Sequence, residues 1–268
     1  MKKNSIPIID TWAVEEHLSE FLHSQLRRAG RNKVVVGLSG GIDSSTAAAL
    51  AARSLGSEHV IGLILPYGER RPEDVTDALE LAELFHIHTR QIDIAPMVDA
   101  YFSSFPHAAA RRRGNKMARE RMSILYDWAE YHEALVMGTG NRTELYLGYL
   151  TKYGDGGVDL EPLGGLYKCE VRQLAASMGL PPKLINRVPT AGLWQGQTDE
   201  GELGMSYDVI DSILYHMLDL RMGKRSLLKA GFAPADVEMV GQMTRASRHK
   251  RLTPPFPALK SAWRKRAD

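Results

Sequence analysis

The chain has 268 residues and a formal net charge of +2, with 44% hydrophobic and 25% charged residues, the balance of an ordinary soluble globular protein of one domain or at most two. So small a net charge argues against a nucleic-acid partner, and no apolar run approaches the ~18 residues of a membrane span. The single cysteine, Cys169, excludes a disulfide within the chain and suits a reducing compartment. In chain order, Trp12, Leu18, Phe21, Leu22 and Leu26 recur at helical spacing and predict an amphipathic helix over 9–28. The run Val34-Val35-Val36 predicts a buried parallel strand within 33–38, followed by a glycine turn and an alanine-rich helix over 44–55. A strand over 59–65, a helix from Pro72 to about residue 85, a strand over 89–94, a helix over 116–131 and a strand at 135–137 continue the alternation. It predicts an α/β fold, one domain over 1–268, with a twisted, mainly parallel sheet and helices on both faces. Beyond residue 150, the segments 151–165 and 190–204 are aperiodic and read as long loops, either functional lids or disordered segments, with helices expected over 170–178 and 208–220. The basic runs Arg111-Arg112-Arg113 and Arg264-Lys265-Arg266 read as solvated surface. Met1-Lys2-Lys3 is followed by polar residues rather than a signal-peptide core, so a cytoplasmic location is expected.

Ligands of such sheets bind beyond the carboxyl ends of the strands. Two glycine-bearing turns, after Leu38 and after Met137, fall at strand ends on that side. The first is Ser39-Gly40-Gly41-Ile42-Asp43-Ser44-Ser45. Adjacent glycines let the backbone bring its N–H groups close to a phosphate, and the following helix points its positive end at the same anion. Ser39, Ser44 and Ser45 add uncharged hydroxyl donors, whereas Asp43 repels phosphates unless a cation such as Mg2+ lies between. No Gly-Lys-Ser/Thr follows, and Gly37, Gly40 and Gly41 are wrongly spaced for a dinucleotide fingerprint. Taken alone, Ser-Gly-Gly also reads as a plain turn with Asp43 and Ser44 capping the helix.

The pattern Ser-Gly-Gly-x-Asp-Ser resembles the loop of the N-type ATP pyrophosphatase superfamily, with its adenine-nucleotide alpha-hydrolase-like fold. The resemblance implies that Gly37, Leu38, Ser39, Gly40, Gly41, Ile42, Asp43 and Ser44 bind ATP. It also implies that AMP is transferred to a substrate oxygen and pyrophosphate released. Later segments resemble, in order, the NAD synthetase family: Asn115-Lys116-Met117-Ala118-Arg119-Glu120-Arg121-Met122, Gly138-Thr139-Gly140-Asn141-Arg142-Thr143-Glu144, Thr151-Lys152-Tyr153-Gly154-Asp155-Gly156-Gly157-Val158-Asp159, Pro189-Thr190-Ala191 and Glu202-Leu203-Gly204-Met205-Ser206-Tyr207. This resemblance runs from about residue 35 to about residue 252, and the segment at Thr151 is its most specific part. It implies further ATP contacts at Thr139, Lys168 and Thr190, and Mg2+ on Asp43 and Glu144. Deamido-NAD would lie on Arg119, Lys152, Asp159, His249 and Lys250, in the interface of a homodimer. The implied substrates are ATP, deamido-NAD and ammonia, and the residues closest to the chemistry are Asp43, Lys168 and Asp155.

Read without the resemblance, these residues keep other meanings. Arg119 and Arg121 lie two apart on a helix, so one is expected inside and the other out. Met117, Met122, Leu125 and Trp128 on the same helix suit either core or interface. Glu144 alone reads as a dipole or capping partner, Lys168 as an exposed lysine, and His249-Lys250 as surface charge. Asp155 either holds ammonium and takes its proton or orders its loop as an Asx turn. The stretch Gly192-Leu193-Trp194-Gln195-Gly196-Gln197, with Gly201 and Cys169-Glu170, departs from the family pattern, which bears on how a lid closes. The segment Leu65-Pro66-Tyr67-Gly68-Glu69-Arg70-Arg71 is expected to border the adenine. The rival readings are another adenylating amidotransferase, a tRNA thiolation enzyme, or a nucleotide sensor without turnover. A glutaminase needs an activated cysteine, and Cys169 reads instead as a small packing residue. Free ammonia is therefore the expected nitrogen source, with a separate glutaminase subunit left open.

Overall fold

The computed structural model describes residues 6–258 except 70, 191, 193 and 195. The runs Met1-Lys2-Lys3 and Arg264-Lys265-Arg266, with Arg70, Ala191, Leu193 and Gln195, lie outside the described residues. The elements in order are α1 (Thr11–Arg28), β1 (Val34–Gly37), α2 (Ile42–Leu55), β2 (Val60–Ile64), α3 (Pro72–Leu84), β3 (His88–Gln91), α4 (Ala95–Phe102), α5 (Ala110–Tyr131) and β4 (Leu135–Met137). Seven helices follow: α6 (Arg142–Leu147), α7 (Lys168–Ser177), α8 (Pro182–Ile185), α9 (Asp199–Leu203), α10 (Tyr207–Leu218), α11 (Lys224–Lys229) and α12 (Pro234–Ala246).

The sheet order is β3-β2-β1-β4 and every pairing is parallel, with Val34 beside both Val60 and Leu135. Side chains alternate between faces as a period of two requires. Val34 and Val36 of β1, Val60 and Ile64 of β2, and Met137 of β4 join one apolar cluster with α1, α2, α3 and α7. Val35, Leu63 and Val136 join another with α4 and α5. Helices therefore cover both faces, which is why the central strand reads as an unbroken valine run rather than an alternating one. A third cluster, built from α6, α10, α11 and α12, stands beside the sheet.

Several elements depart from the sequence expectation. The strand expected over 89–94 ends at Gln91, although Ile92 and Ile94 still donate to Ile64 and Pro66 carbonyls before α4 begins. Helix α5 starts at Ala110, six residues early; Arg111 and Arg112 are exposed, as expected of solvated surface, while Arg112 and Arg113 also lie over the Phe105 and Phe102 rings, at 4.5 and 4.6 Å. Met117, Leu125 and Trp128 of α5 pack into the core cluster beneath it. The loop expected over 190–204 carries α9, capped by the Thr198 hydroxyl accepting from Gly201 N–H at 3.2 Å. Helices α4, α6, α8, α11 and α12 had no sequence forecast, α6 and α8 because six and four residues are too few to show a period.

Chain order fixes where a ligand fits. From β1 the chain goes to β2 and β3 on one side, and later returns to β4 on the other. The crevice between the ends of β1 and β4 is thus the topological switch point.

Candidate active site

A cleft of about 820 Å3 opens over the switch point. Its floor is the turn after β1. Gly40 takes the left-handed φ of +72°, and Gly41 is the N-cap of α2. The loop is closed by its own hydroxyls: Ser39 N–H donates to Ser44 Oγ (3.2 Å), Ser44 Oγ donates to the Gly41 carbonyl (3.1 Å), and Gly41 N–H donates to Ser39 Oγ (3.3 Å). The amides of the first turn of α2 have no acceptor within the helix and face an incoming anion. Neither Asp43 nor Ser44 is the cap of α2, so the plain-turn reading fails on this point. Ser45 is buried and its hydroxyl finds no hydrogen-bond partner among the described residues, so it adds no donor to the cleft.

Three helix starts meet there. Asp43 lies in the first turn of α2, Glu144 in that of α6, and Lys168 opens α7. Lys168 is 2% exposed, and its Nζ pairs with Asp43 Oδ2 and, at 3.3 Å, with Glu144 Oε1. The reading of Lys168 as an exposed lysine is therefore wrong. Burial disfavours its charge, but the two carboxylates outweigh burial and raise the pKa of the ammonium. Burial first and Asp43 second push Glu144 well above the ordinary carboxylate range. Glu144 also completes a capping box with Asn141, whose Oδ1 accepts from Glu144 N–H at 3.0 Å. Asn141 Nδ2 in turn donates to Asp43 Oδ1 at 2.9 Å. Glu144 is thus both a cap partner and a wall of the cleft.

Leu38, Ile42, Thr139 and Thr190 line the cleft with these residues, as do Gly37, Ser39, Gly41 and Ser44. Arg119, Lys152, Asp155, His249 and Lys250 line it too. Arg121 is the inward arginine, donating from Nε to the Leu65 carbonyl at 2.9 Å, and burial lowers its pKa to about 10. Arg119 is exposed and donates to the Lys152 carbonyl at 3.2 Å. Lys250 Nζ spends two donors on the Gly148 and Leu150 carbonyls, each at 2.6 Å, so it is a pinned residue and not loose surface charge. Asp155 Oδ1 accepts from Thr151 N–H at 2.8 Å, the loop-ordering bond, while the residue stays exposed at the cleft.

Two expected site residues lie off the cleft wall. Gly40 turns toward α3, where a Cβ would stand 2.4 Å from the Asp74 carbonyl oxygen. Asp159 is held at the edge of β4, accepting from Val136 N–H (2.8 Å) and from the Tyr126 hydroxyl (3.0 Å). Other cleft residues carried no local signal. Arg187 donates to the Gly40 carbonyl at 3.0 Å and pairs with Asp74 and Asp77, and Asp199 accepts from the Tyr149 and Tyr207 hydroxyls, each at 3.1 Å. Asn141, buried behind the cleft wall, did carry one, as Asn-x-x-Glu ahead of an apolar pair is a helix-start signature.

Behind the second turn stands Glu161, whose Oε2 accepts from Gly140 N–H at 3.0 Å. A Cβ on Gly138 would meet its carboxyl carbon at 2.6 Å, so the glycine there makes room for Glu161. Desolvation raises the Glu161 pKa to about 8 from 4.5. A raised folded-state value gives a stabilising contribution that is complete below about 4.5 and fades as pH climbs toward about 8. Glu161→Gln keeps the acceptor and cannot ionise, so wild type should lose stability relative to it between pH 5 and pH 8, at no more than about 1.4 kcal/mol per pH unit and seen as a falling melting temperature. Parallel melting curves across that range would refute this.

A family profile described as NAD synthase matches residues 14–254. The chain is 45% identical over 241 residues to an NH(3)-dependent NAD(+) synthetase of Chlorobium phaeovibrioides, covering 90% of this chain and 87% of that protein. The structure of an NMN synthetase from Francisella tularensis aligns with a TM-score of 0.83 and 34% identity, over 94% of this chain and all (100%) of that one. An NH3-dependent NAD synthetase from Campylobacter jejuni, in complex with nitrate, aligns with a TM-score of 0.80 and 30% identity, over 93% and 100%.

Proposed function

The chain belongs to the NAD synthase family, and from that membership we propose how its cleft carries out ammonia-dependent, AMP-forming NAD synthesis. In this reaction a nicotinate carboxylate oxygen of deamido-NAD attacks the α-phosphorus of ATP, and the bond from that phosphorus to the bridging oxygen breaks to release pyrophosphate. Ammonia then attacks the acyl carbon, AMP leaves with the carboxyl oxygen, and the nitrogen gives up a proton. A carboxylate is a poor electrophile, and the mixed anhydride supplies the leaving group it lacks. What supports our placing of the nucleotide is the convergence of Asp43, Glu144 and Lys168 on the glycine turn at the switch point.

In this reading the turn amides and the hydroxyls of Ser39 and Ser44 hold the pyrophosphate end of ATP, and Thr139 and Thr190 flank the nucleotide. Lys168 stabilises charge developing on the departing pyrophosphate. Arg119, Lys152, His249 and Lys250 receive deamido-NAD, and Asp155 faces the carboxylate being amidated. Asp159 reaches the dinucleotide with the lone pairs left over from its bonds to Tyr126 of α5 and Val136 of β4.

Mg2+ belongs to the same reading. Among the described residues no three His, Cys, Asp or Glu side chains are arranged around one metal position. A phosphate-bound Mg2+ needs only one or two carboxylates, because phosphate and water oxygens complete its shell. Asp43 and Glu144 fit that requirement, since both already approach a single cation, the Lys168 ammonium. Bound there, the ion would neutralise phosphate charge.

The working form in this reading is a homodimer. The cleft stays open beside Arg119 and the half-exposed Tyr153, where a second subunit would complete the dinucleotide site. No helix among the described residues is long and apolar enough to cross a membrane. The lone cysteine supports a cytoplasmic setting.

The test is product analysis with ATP, Mg2+, deamido-NAD and an ammonium salt. NAD, AMP and pyrophosphate should form in equal amounts, and ADP with phosphate as the stoichiometric products would overturn the mechanism. Because one structural neighbour is named an NMN synthetase, the mononucleotide acid is run beside deamido-NAD. A clear preference for the mononucleotide would change the substrate. Glutamine in place of ammonium should give no NAD, and Cys169→Ser should leave ammonium-driven turnover intact. The Cys169 thiol is half-buried against the third cluster, and burial and then Asp211 raise its pKa, the opposite of an activated nucleophile.

A further inference from the structure

We propose that Asp211, on α10, is the positioning residue that sets where the Lys168 ammonium stands, through Thr143 and the first turn of α7. The inference rests on the reading that Lys168 meets the nucleotide. Asp211 has no exposed surface, lies outside the cleft wall, and matches none of the motifs above. Its Oδ1 accepts from the Thr143 hydroxyl at 2.5 Å and its Oδ2 from Cys169 N–H at 2.9 Å. The Thr143 oxygen in turn accepts from Lys168 N–H at 3.1 Å. One carboxylate therefore satisfies, directly or through one hydroxyl, two orphan amides at the start of α7 and a side chain at the start of α6.

The residues it grips adjoin the two that matter most. Thr143 precedes Glu144, and Cys169 follows Lys168. Lys168 and Glu144 come from different helices, 24 positions apart, yet must stay within 3.3 Å of each other. Asp211, arriving from a third helix, ties those helix starts together. A fully buried carboxylate with no solvent contact is costly unless every acceptor is used, and here both oxygens are. Neither of its two protein partners is reached by ATP or deamido-NAD in the proposed mechanism, so its effect must travel through geometry.

Asp211→Asn provides the test. The carboxamide keeps the shape but has one acceptor oxygen, so its NH2 must face either the Cys169 amide or the Thr143 hydroxyl. Facing the amide, it sets two donors against each other; facing the hydroxyl, it reverses that bond and leaves the Thr143 proton without its acceptor, so either choice disturbs one of the two helix starts. A displacement of that scale should lower turnover by about tenfold to a hundredfold and raise the KM for ATP, with the KM for ammonium unchanged. Values are taken on the folded fraction set by each variant's melting curve. Thr143→Val should produce the same split, Thr143→Ser should restore it, and the double variant Asp211→Asn with Thr143→Val should be no worse than the poorer single one. If Asp211→Asn does not fold, the Thr143 pair carries the same test. A lowered melting temperature with normal kinetics in the folded fraction would overturn the inference, as would losses that multiply in the double variant. Lys168→Met separates this idea from its premise. Unchanged ATP kinetics there would overturn the lysine's role and this inference with it. A loss in Lys168→Met with none in Asp211→Asn would overturn this inference alone.

Discussion

Asp43→Asn should cut ATP-dependent turnover by about 100-fold or more, the scale of removing one preorganised electrostatic group. Asp43 uses both oxygens: Oδ1 accepts from Asn141 Nδ2 at 2.9 Å, and Oδ2 pairs with Lys168. An asparagine offers one acceptor, so its NH2 must point at the Asn141 amide donors or at the Lys168 ammonium, and both are donors. The variant also leaves Lys168 with Glu144 as its remaining ion-pair partner. Folding should survive, because the N-cap of α2 is Gly41 and not Asp43. Turnover is measured at saturating ATP and Mg2+, beside a melting curve. A variant as active as wild type would show that the carboxylate has no part in the chemistry.

Gly40→Ala should do its damage differently, by moving the loop. Gly40 has φ +72°, which costs an alanine about 1 kcal/mol or more. The added Cβ would also lie 2.4 Å from the Asp74 oxygen and 2.9 Å from its Cα. Those are backbone atoms of α3, and Asp74 is further held by ion pairs to Arg71 (3.0 Å) and Arg187. No flexible side chain can give way, so an overpacking cost of about 1–3 kcal/mol is added. Thermal or denaturant unfolding should show a loss of about 2–4 kcal/mol in all. ATP binding should weaken by about tenfold or more, because the shifted turn no longer presents its amides together. A loss under about 0.5 kcal/mol, the range of ordinary surface changes, would mean the loop and α3 part easily.

The parts of the fold visible in the sequence were those with unbroken local patterns. The valine run of β1, the alanines of α2 and Pro72 of α3 announce their elements because burial and backbone restriction act within a few residues. Helices α6 and α9, of six and five residues, are defined by their caps and by tertiary contacts, and periodicity is blind to them. The same division holds at the site. The turn from Ser39 to Ser44 is contiguous, so its geometry could be argued from residue types alone. That Lys168 is buried against Asp43, 125 positions away, could not, and by itself Lys168 looked like surface. Arg187 and Asp199 belong to the cleft only because α3, α8 and α9 pack around the turn, and no spacing encodes that. Asp159 shows the reverse limit, since a family pattern names a residue without saying what else it holds.

That second duty of Asp159 bears on the sheet as a whole. Strand β4 lies at one margin of the sheet, and an open margin invites pairing with another chain. Here it is blocked: the Asp159 carboxylate takes Val136 N–H, Asp159 N–H goes to the Val136 carbonyl at 2.9 Å, and Gly138 N–H goes to the Leu160 carbonyl at 2.7 Å. The glycine-rich segment beside the cleft therefore doubles as a guard against polymerisation. Grafting a different segment there to change substrate preference would have to restore this cover, both the backbone bonds of 159 and 160 and an acceptor at position 159 for the Val136 N–H.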